Sequence, residues 1–143
     1  MDNITVNTLR ELKAVGFSYP EYEHELNLGM LYFYHDDEYQ IGGFCPEDFT
    51  EQDRIVAQQG EWLPDSSQLL EWLGNTDFSV NILMDDVHHF SVQATDTLNG
   101  LVYTGGGYGL ANALAKVILK ICKSKKREYI PRTTLRLQII YEE

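Results

Sequence analysis

Apolar positions recur along this chain with two different periods, and the change from one to the other predicts an α+β fold. Leu9, Leu12 and Val15 share one face at helical spacing, with Asn7 or Thr8 placed to cap the helix and Gly16 to end it. Met30 to Tyr34 and Tyr39 to Phe44 are aromatic and apolar runs separated by His35-Asp36-Asp37-Glu38. That is the pattern of a β-hairpin whose second strand weakens at Gly42-Gly43. Phe49 to Gln59 has the spacing of a short helix closed by Gly60. Glu61-Trp62-Leu63-Pro64 then leads into another helix, capped by Asp65 or Ser66, with Leu69, Leu70, Trp72 and Leu73 on its apolar face and Gly74 as its stop.

The period then changes to two. Phe78 to Leu83 alternates, Val87 to Ala94 does so after an Asp85-Asp86 turn, and Leu101 to Thr104 follows the tight-turn pair Asn99-Gly100. Together these predict an antiparallel meander. Thr104-Gly105-Gly106-Gly107-Tyr108-Gly109 reads as a glycine-rich loop opening the most regular helix of the chain. That helix carries an apolar stripe of Leu110, Ala113, Leu114, Val117, Ile118 and Ile121, and lysines toward its C-terminal end, where the helix dipole favours cations. Pro131 prevents continuation, and Thr133 to Tyr141 reads as a last strand, with Leu135, Leu137, Ile139 and Tyr141 on one face. The expected fold is a mainly antiparallel sheet (N-terminal hairpin, central meander, C-terminal strand) packed against two to four helices, with residues 1–143 as a single domain.

Charge adds what periodicity does not show. The formal net charge is −11 over 143 residues. Residues 1–115 hold three basic and nineteen acidic side chains, whereas residues 116–143 hold eight basic and three acidic ones. An acidic surface repels nucleic acid and attracts basic surfaces, although it also serves plain solubility. Nucleic acid is therefore not expected as the main partner, and the cations between Lys120 and Arg136 read as complements to a helix dipole or to the acidic part. No apolar run reaches membrane-spanning length, and Met1-Asp2-Asn3-Ile4-Thr5 lacks the features of a signal peptide. The expectation is a cytoplasmic protein with no membrane partner and with Cys45 and Cys122 as reduced thiols.

The residues that carry chemistry elsewhere do not assemble into a known motif here. Gly105, Gly106, Gly107, Tyr108 and Gly109, between a strand and a helix start, have the makings of an anion or nucleotide site, but they match neither the Walker A pattern nor a dinucleotide fingerprint. The alternative for that segment is a flexible turn with Gly109 as a cap. His35-Asp36-Asp37-Glu38 and Asp85-Asp86-Val87-His88-His89 contain metal-ligand residue types at expected hairpin turns, where Asp also serves its own backbone. His88 and His89, adjacent in a strand, point to opposite faces. There is no GxSxG or HExxH motif. No catalytic residue, metal site or cofactor is expected, and a metal-dependent enzyme is the least supported reading.

Gly60-Glu61-Trp62-Leu63-Pro64, followed by Gln68-Leu69-Leu70 and Leu73, resembles small phage- and prophage-encoded proteins of Gram-positive bacteria with a Trp-Leu-Pro segment ahead of a Gln-Leu-rich helix. Asn112-Ala113-Leu114-Ala115 looks like the final Ala/Leu helix of that pattern, while the glycine-rich segment and the C-terminal strand depart from it. The resemblance implies a setting inside a bacterial host but no activity and no functional residues. It favours a non-enzymatic binding protein that acts through an acidic, aromatic surface on a basic host partner, as inhibitors of host defence do. Glu21, Glu23, Glu25, Asp36, Asp37, Glu38, Glu47 and Asp48 are the candidate partner-binding residues. Small-anion or nucleotide binding at residues 105–109 is the alternative.

Overall fold

The computed structural model describes residues 4–43 and 49–125. In chain order these form α1 (Val6–Ala14), β1 (Leu31–Tyr34), β2 (Asp37–Gln40), α2 (Glu51–Gln59), β3 (Glu61–Leu63), α3 (Ser66–Asn75), β4 (Phe78–Asp86), β5 (His89–Asp96), β6 (Val102–Tyr108) and α4 (Leu110–Lys125). The result is an α+β fold with two three-stranded antiparallel sheets, ordered β2-β1-β3 and β4-β5-β6. The expected strand at Thr133 to Tyr141 lies outside the described residues. The chain divides into two compact units, Ser18–Pro64 and Met1–Phe17 with Asp65–Glu143.

In the unit Ser18–Pro64 the hairpin forms where aromatic alternation places it. Tyr34 pairs with Asp37 across a two-residue turn. His35 and Asp36 both take positive φ, 49° and 63°, the left-handed pair that matches the twist of a hairpin. The polar stretch His35 to Glu38 is thus split: two residues turn and two begin β2. Glu61 to Leu63, expected as the approach to a helix, is instead a strand that pairs with the other edge of β1, with Tyr32 opposite Trp62. Three residues are too few to display a period, and the pairing partner is remote in sequence. Gly60 joins α2 to β3 without a left-handed turn, at φ −79° and ψ 170°. A Cβ there would lie 2.7 Å from the Val56 carbonyl oxygen. Glycine therefore permits a strand to leave directly from a helix.

Tyr19, Tyr32, Ile41, Val56, Trp62 and Leu63 are buried in this unit. Tyr22 stacks on Trp62 at 5.5 Å between ring centroids, and Tyr19 meets Trp62 edge-on at 6.1 Å. The Tyr32 hydroxyl donates to the Glu25 carbonyl at 2.6 Å, tying β1 to the turns between residues 19 and 25. Burial, reinforced by the charges of Glu25 and Glu23, pushes its pKa up to about 12. Many of the tyrosines are therefore half-buried strand and core residues.

In the other unit, Thr5 caps α1, accepting from the Thr8 amide, rather than Asn7 or Thr8 doing so. The helix begins two residues after Ile4, which is buried, as are Leu9 and Leu12; Val15 is half-buried at the C-cap, and Gly16 follows at φ 95°. Asp65 caps α3 in a reciprocal box with Gln68. Gly74 does not stop this helix. The stop comes at Thr76, whose hydroxyl donates to the Trp72 and Leu73 carbonyls, and at Asp77, which takes φ 67°.

The meander forms with two corrections. Its first turn lies at Val87-His88 and not at Asp85-Asp86, since Asp86 already pairs with His89 and accepts the Val87 amide at 2.7 Å. Its third strand runs on through the glycines to Tyr108. α4 covers one sheet face over β5 and β6, and α1 and α3 pack against α4. Leu114, Ile118 and Ile121 are fully buried beside Val92 and Ala94 of the sheet. Each such side chain contributes about 1.5–3 kcal/mol of transfer free energy.

Candidate functional site

The glycine segment is not a loop. Gly105, Gly106 and Gly107 pair with Val92, Ser91 and Phe90, and Tyr108 pairs with His89. Only Gly109, at φ 80°, turns the chain, with its amide on the His88 carbonyl at 2.8 Å. The glycines allow α4 to approach the sheet closely. A Cβ on Gly105 would meet Val117 Cγ2 at 2.9 Å and the Val117 amide nitrogen at 3.2 Å. A glycine run thus marks close packing of a helix on a strand here, where sequence pattern alone suggests a flexible anion cradle.

Alternation along β4 to β6 places Val92, Ala94, Gly105 and Gly107 toward α4, and Asn81, Leu83, Ser91, Gln93, Thr104 and Gly106 on the opposite face. A groove of about 710 Å³ lies against these strands, lined by Asn81, Leu83, Ser91, Gln93, Thr104, Gly105, Gly106 and Lys120, with Ile82 and Val92. Of the glycine-segment residues, Gly105 and Gly106 line it and Gly107, Tyr108 and Gly109 do not. Nothing in the sequence alone marks Asn81, Ser91 and Gln93 as site residues. Their signal is positional: alternate residues of paired strands, visible only once the register is known.

At one end of this face lies a small polar cluster. Asp85 Oδ2 accepts the Ser91 hydroxyl at 2.5 Å and faces His89 Nδ1 at 3.0 Å. The His89 ring meets Tyr108 edge-on at 5.5 Å. The hydroxyl of Ser91, with help from His89, lowers the Asp85 carboxyl below its ordinary value. The order of contacts is not that of a nucleophile relay. The serine and the histidine both engage the aspartate, so the imidazole does not activate the hydroxyl. The second histidine-acid cluster splits as well: His88 sits in the turn and only His89 joins Asp85. Among the described residues, no group of three or more His, Cys, Asp and Glu side chains is arranged to hold a metal ion.

The partner-binding candidates fall in the unit Ser18–Pro64. Glu21, Glu25, Asp36, Asp37 and Glu38 are exposed and Glu23 is half-buried; Glu47 and Asp48 lie outside the described residues. This unit holds eleven acidic side chains against a single basic one, Arg54. The rest of the chain holds eleven acidic and ten basic side chains. Along the chain the acidity lies ahead of residue 115; the division into units concentrates nearly all of the net charge in 47 residues. Asp53 alone of these acids is described as buried, and its role is internal.

The remaining candidates are structural. Cys122 is a buried free thiol on α4, its pKa pushed up to about 11 by burial. Lys116 and Lys120 donate to the backbone carbonyls of Gly106 and Thr104. These two cations of the basic segment therefore serve the sheet. Among the described residues, no helix is long and apolar enough to cross a membrane. No protein-family model, curated protein or solved structure matches this chain.

Proposed function

We propose that this is a binding protein that acts through the acidic unit Ser18–Pro64 on a partner with a basic surface. The observation that supports it is the segregation of charge: eleven acids against Arg54 in that unit, beside near balance in the rest of the chain. Asp36 sits at the tip of the β1–β2 turn, with Asp37 and Glu38 following it on β2, all exposed. Such a field steers encounter with a cationic surface and enforces orientation. In the phage setting implied by the Trp62-Leu63-Pro64 resemblance, the fitting partner class is a nucleic-acid-binding host protein. The test is capture from nuclease-treated bacterial lysate, identification, and measurement of the purified pair. Affinity should fall steeply with salt and fall again with Asp36→Asn, Asp37→Asn and Glu38→Gln combined. A salt-insensitive pair, or no pair, removes the reading.

A second reading is favoured by the groove, where Gly105, Gly106 and the ammonium-bearing Lys120 come together. It is binding of a small anionic ligand or nucleotide on the open face of β4 to β6. Melting-temperature shifts across a nucleotide panel test it, and no shift for any member removes it. The triple substitution in the acidic unit should leave such shifts unchanged, which separates the two readings.

A further inference from the structure

The two edges of the β4-β5-β6 sheet differ. At β6 the outward carbonyls are occupied, Gly106 by Lys116 Nζ at 2.8 Å and Thr104 by Lys120 Nζ. Lysines at an edge are a common way of preventing further strand pairing. At β4, among the described residues, no side chain bonds the backbone between Ser79 and Met84, and β5 is the sole strand partner. Asn81 to Asp86 are exposed, and the strand shows apolar side chains on both faces: Ile82 is 41% exposed, Leu83 65% and Met84 60%. α4 covers β5 and β6 but leaves this part of β4 uncovered. An exposed apolar edge strand is a template for another strand.

We propose that a second copy of this chain pairs antiparallel along β4, joining two three-stranded sheets into one of six strands. The sequence of β4 suits its own reverse. With the two-fold axis at Ile82, Ile82 faces Ile82 of the other copy, Met84 faces Val80 and Leu83 faces Asn81. The apolar row Val80, Ile82 and Met84 then continues across the junction on one face, and the isologous contact closes on itself. Parallel pairing would instead set Asp85 and Asp86 beside their own copies, where like charges repel. The register shift between Met84 and Asp86 ends the usable ladder before those carboxylates. The unit that carries β4 is near charge balance, so the net repulsion between copies falls mainly on the other unit.

The test uses the full chain. Sedimentation over a concentration series should show a monomer–dimer equilibrium, and Ile82→Lys should give a monomer with an unchanged circular dichroism melt. In a Cys45→Ser background, Ile82→Cys should form a disulfide-linked dimer on mild oxidation far faster than Leu98→Cys, a control on the β5–β6 loop at a position more exposed than Ile82. A chain that is monomeric throughout overturns the proposal. So does a dimer that survives Ile82→Lys, or cross-linking no faster at position 82 than at 98. Concentration-independent protection of the β4 amides from exchange in a monomer assigns the edge to another segment of the same chain and also overturns it.

Discussion

The phenol of Tyr39 donates to Asp53 Oδ1 at 2.7 Å, so the last strand of the N-terminal hairpin is fastened to the first turn of the helix after it. The same carboxylate closes the cap of α2: Oδ2 accepts the Thr50 amide at 2.9 Å while the Thr50 hydroxyl accepts the Asp53 amide at 3.1 Å. Burial raises the Asp53 pKa, but the hydrogen bonds from Thr50, Tyr39 and Gly42 outweigh it and the net shift is downward. Asp53→Asn sets an amide NH₂ against the Thr50 N–H and should cost about 1–2 kcal/mol in denaturant unfolding. A lowered folded-state pKa means stability present above the unfolded carboxyl value and lost as pH falls through the folded one. The gap between wild type and Asp53→Asn should therefore be widest near neutrality and close in acid; a gap independent of pH would show that the carboxylate charge is idle.

Tyr32 tests the opposite end of the pH scale. Its hydroxyl is buried on the Glu25 carbonyl, and Tyr32→Phe leaves that acceptor without its donor, at a cost of about 1–2 kcal/mol. A raised folded-state pKa gives stability that is complete below the unfolded phenol value and is lost as pH rises toward about 12. Unfolding curves of wild type and Tyr32→Phe should converge over that alkaline range.

The glycines of β6 separate packing from ligand chemistry. Gly105→Ala forces a methyl into Val117 and should destabilise by about 1–3 kcal/mol, the range for overpacked cores. Gly107→Ala meets first the Lys116 ammonium at 3.2 Å, the far end of a flexible side chain, and should cost well under half as much. Thermal melts of the two variants check this order. If Gly107→Ala proved the more damaging, close approach of α4 would not be the reason for the glycines.

These residues also show what the sequence could and could not display. Elements with a long period were legible: the α4 stripe from Leu110 to Ile121, the alternation of β4 and β5, and the Asp65 and Gly16 boundaries all stand in the structure. Failures occurred where a residue's role depends on a remote neighbour. Gly105 looks like a loop residue until Val117 is placed over it, and Trp62 looks like the prelude to a helix until β1 is placed beside it. Gly74 looked like a stop because glycine ends many helices, but the Thr76 hydroxyl and the left-handed Asp77 do that work one turn later. The pairing of Asp85 with His89 and Ser91 required the position of a turn that the aspartates themselves obscured.

Cys122 offers a report on opening of the α4 core. Its thiol is buried and its pKa is pushed up to about 11, so little thiolate is present at neutral pH and none is reachable. In a Cys45→Ser background, a disulfide reagent should react with Cys122 only as fast as the native state opens, and promptly in denaturant. Fast reaction under native conditions would mean that the C-terminal end of α4 frays at least as far as Cys122.

Lys116 and Lys120 argue that the β6 edge is closed by charge. Their aliphatic stems run from α4 to the strand, and their ammonium groups take the outward carbonyls of Gly106 and Thr104. Replacing both with alanine leaves the helix stripe intact, since both positions lie on its exposed side. The expected result is a near-native melt together with concentration-dependent association that light scattering detects, because an open edge then presents unpaired backbone groups. Association should also appear in a chain carrying Ile82→Lys, since that substitution blocks the other edge. A double alanine variant as monodisperse as its parent would show that the lysines are not what keeps β6 from pairing.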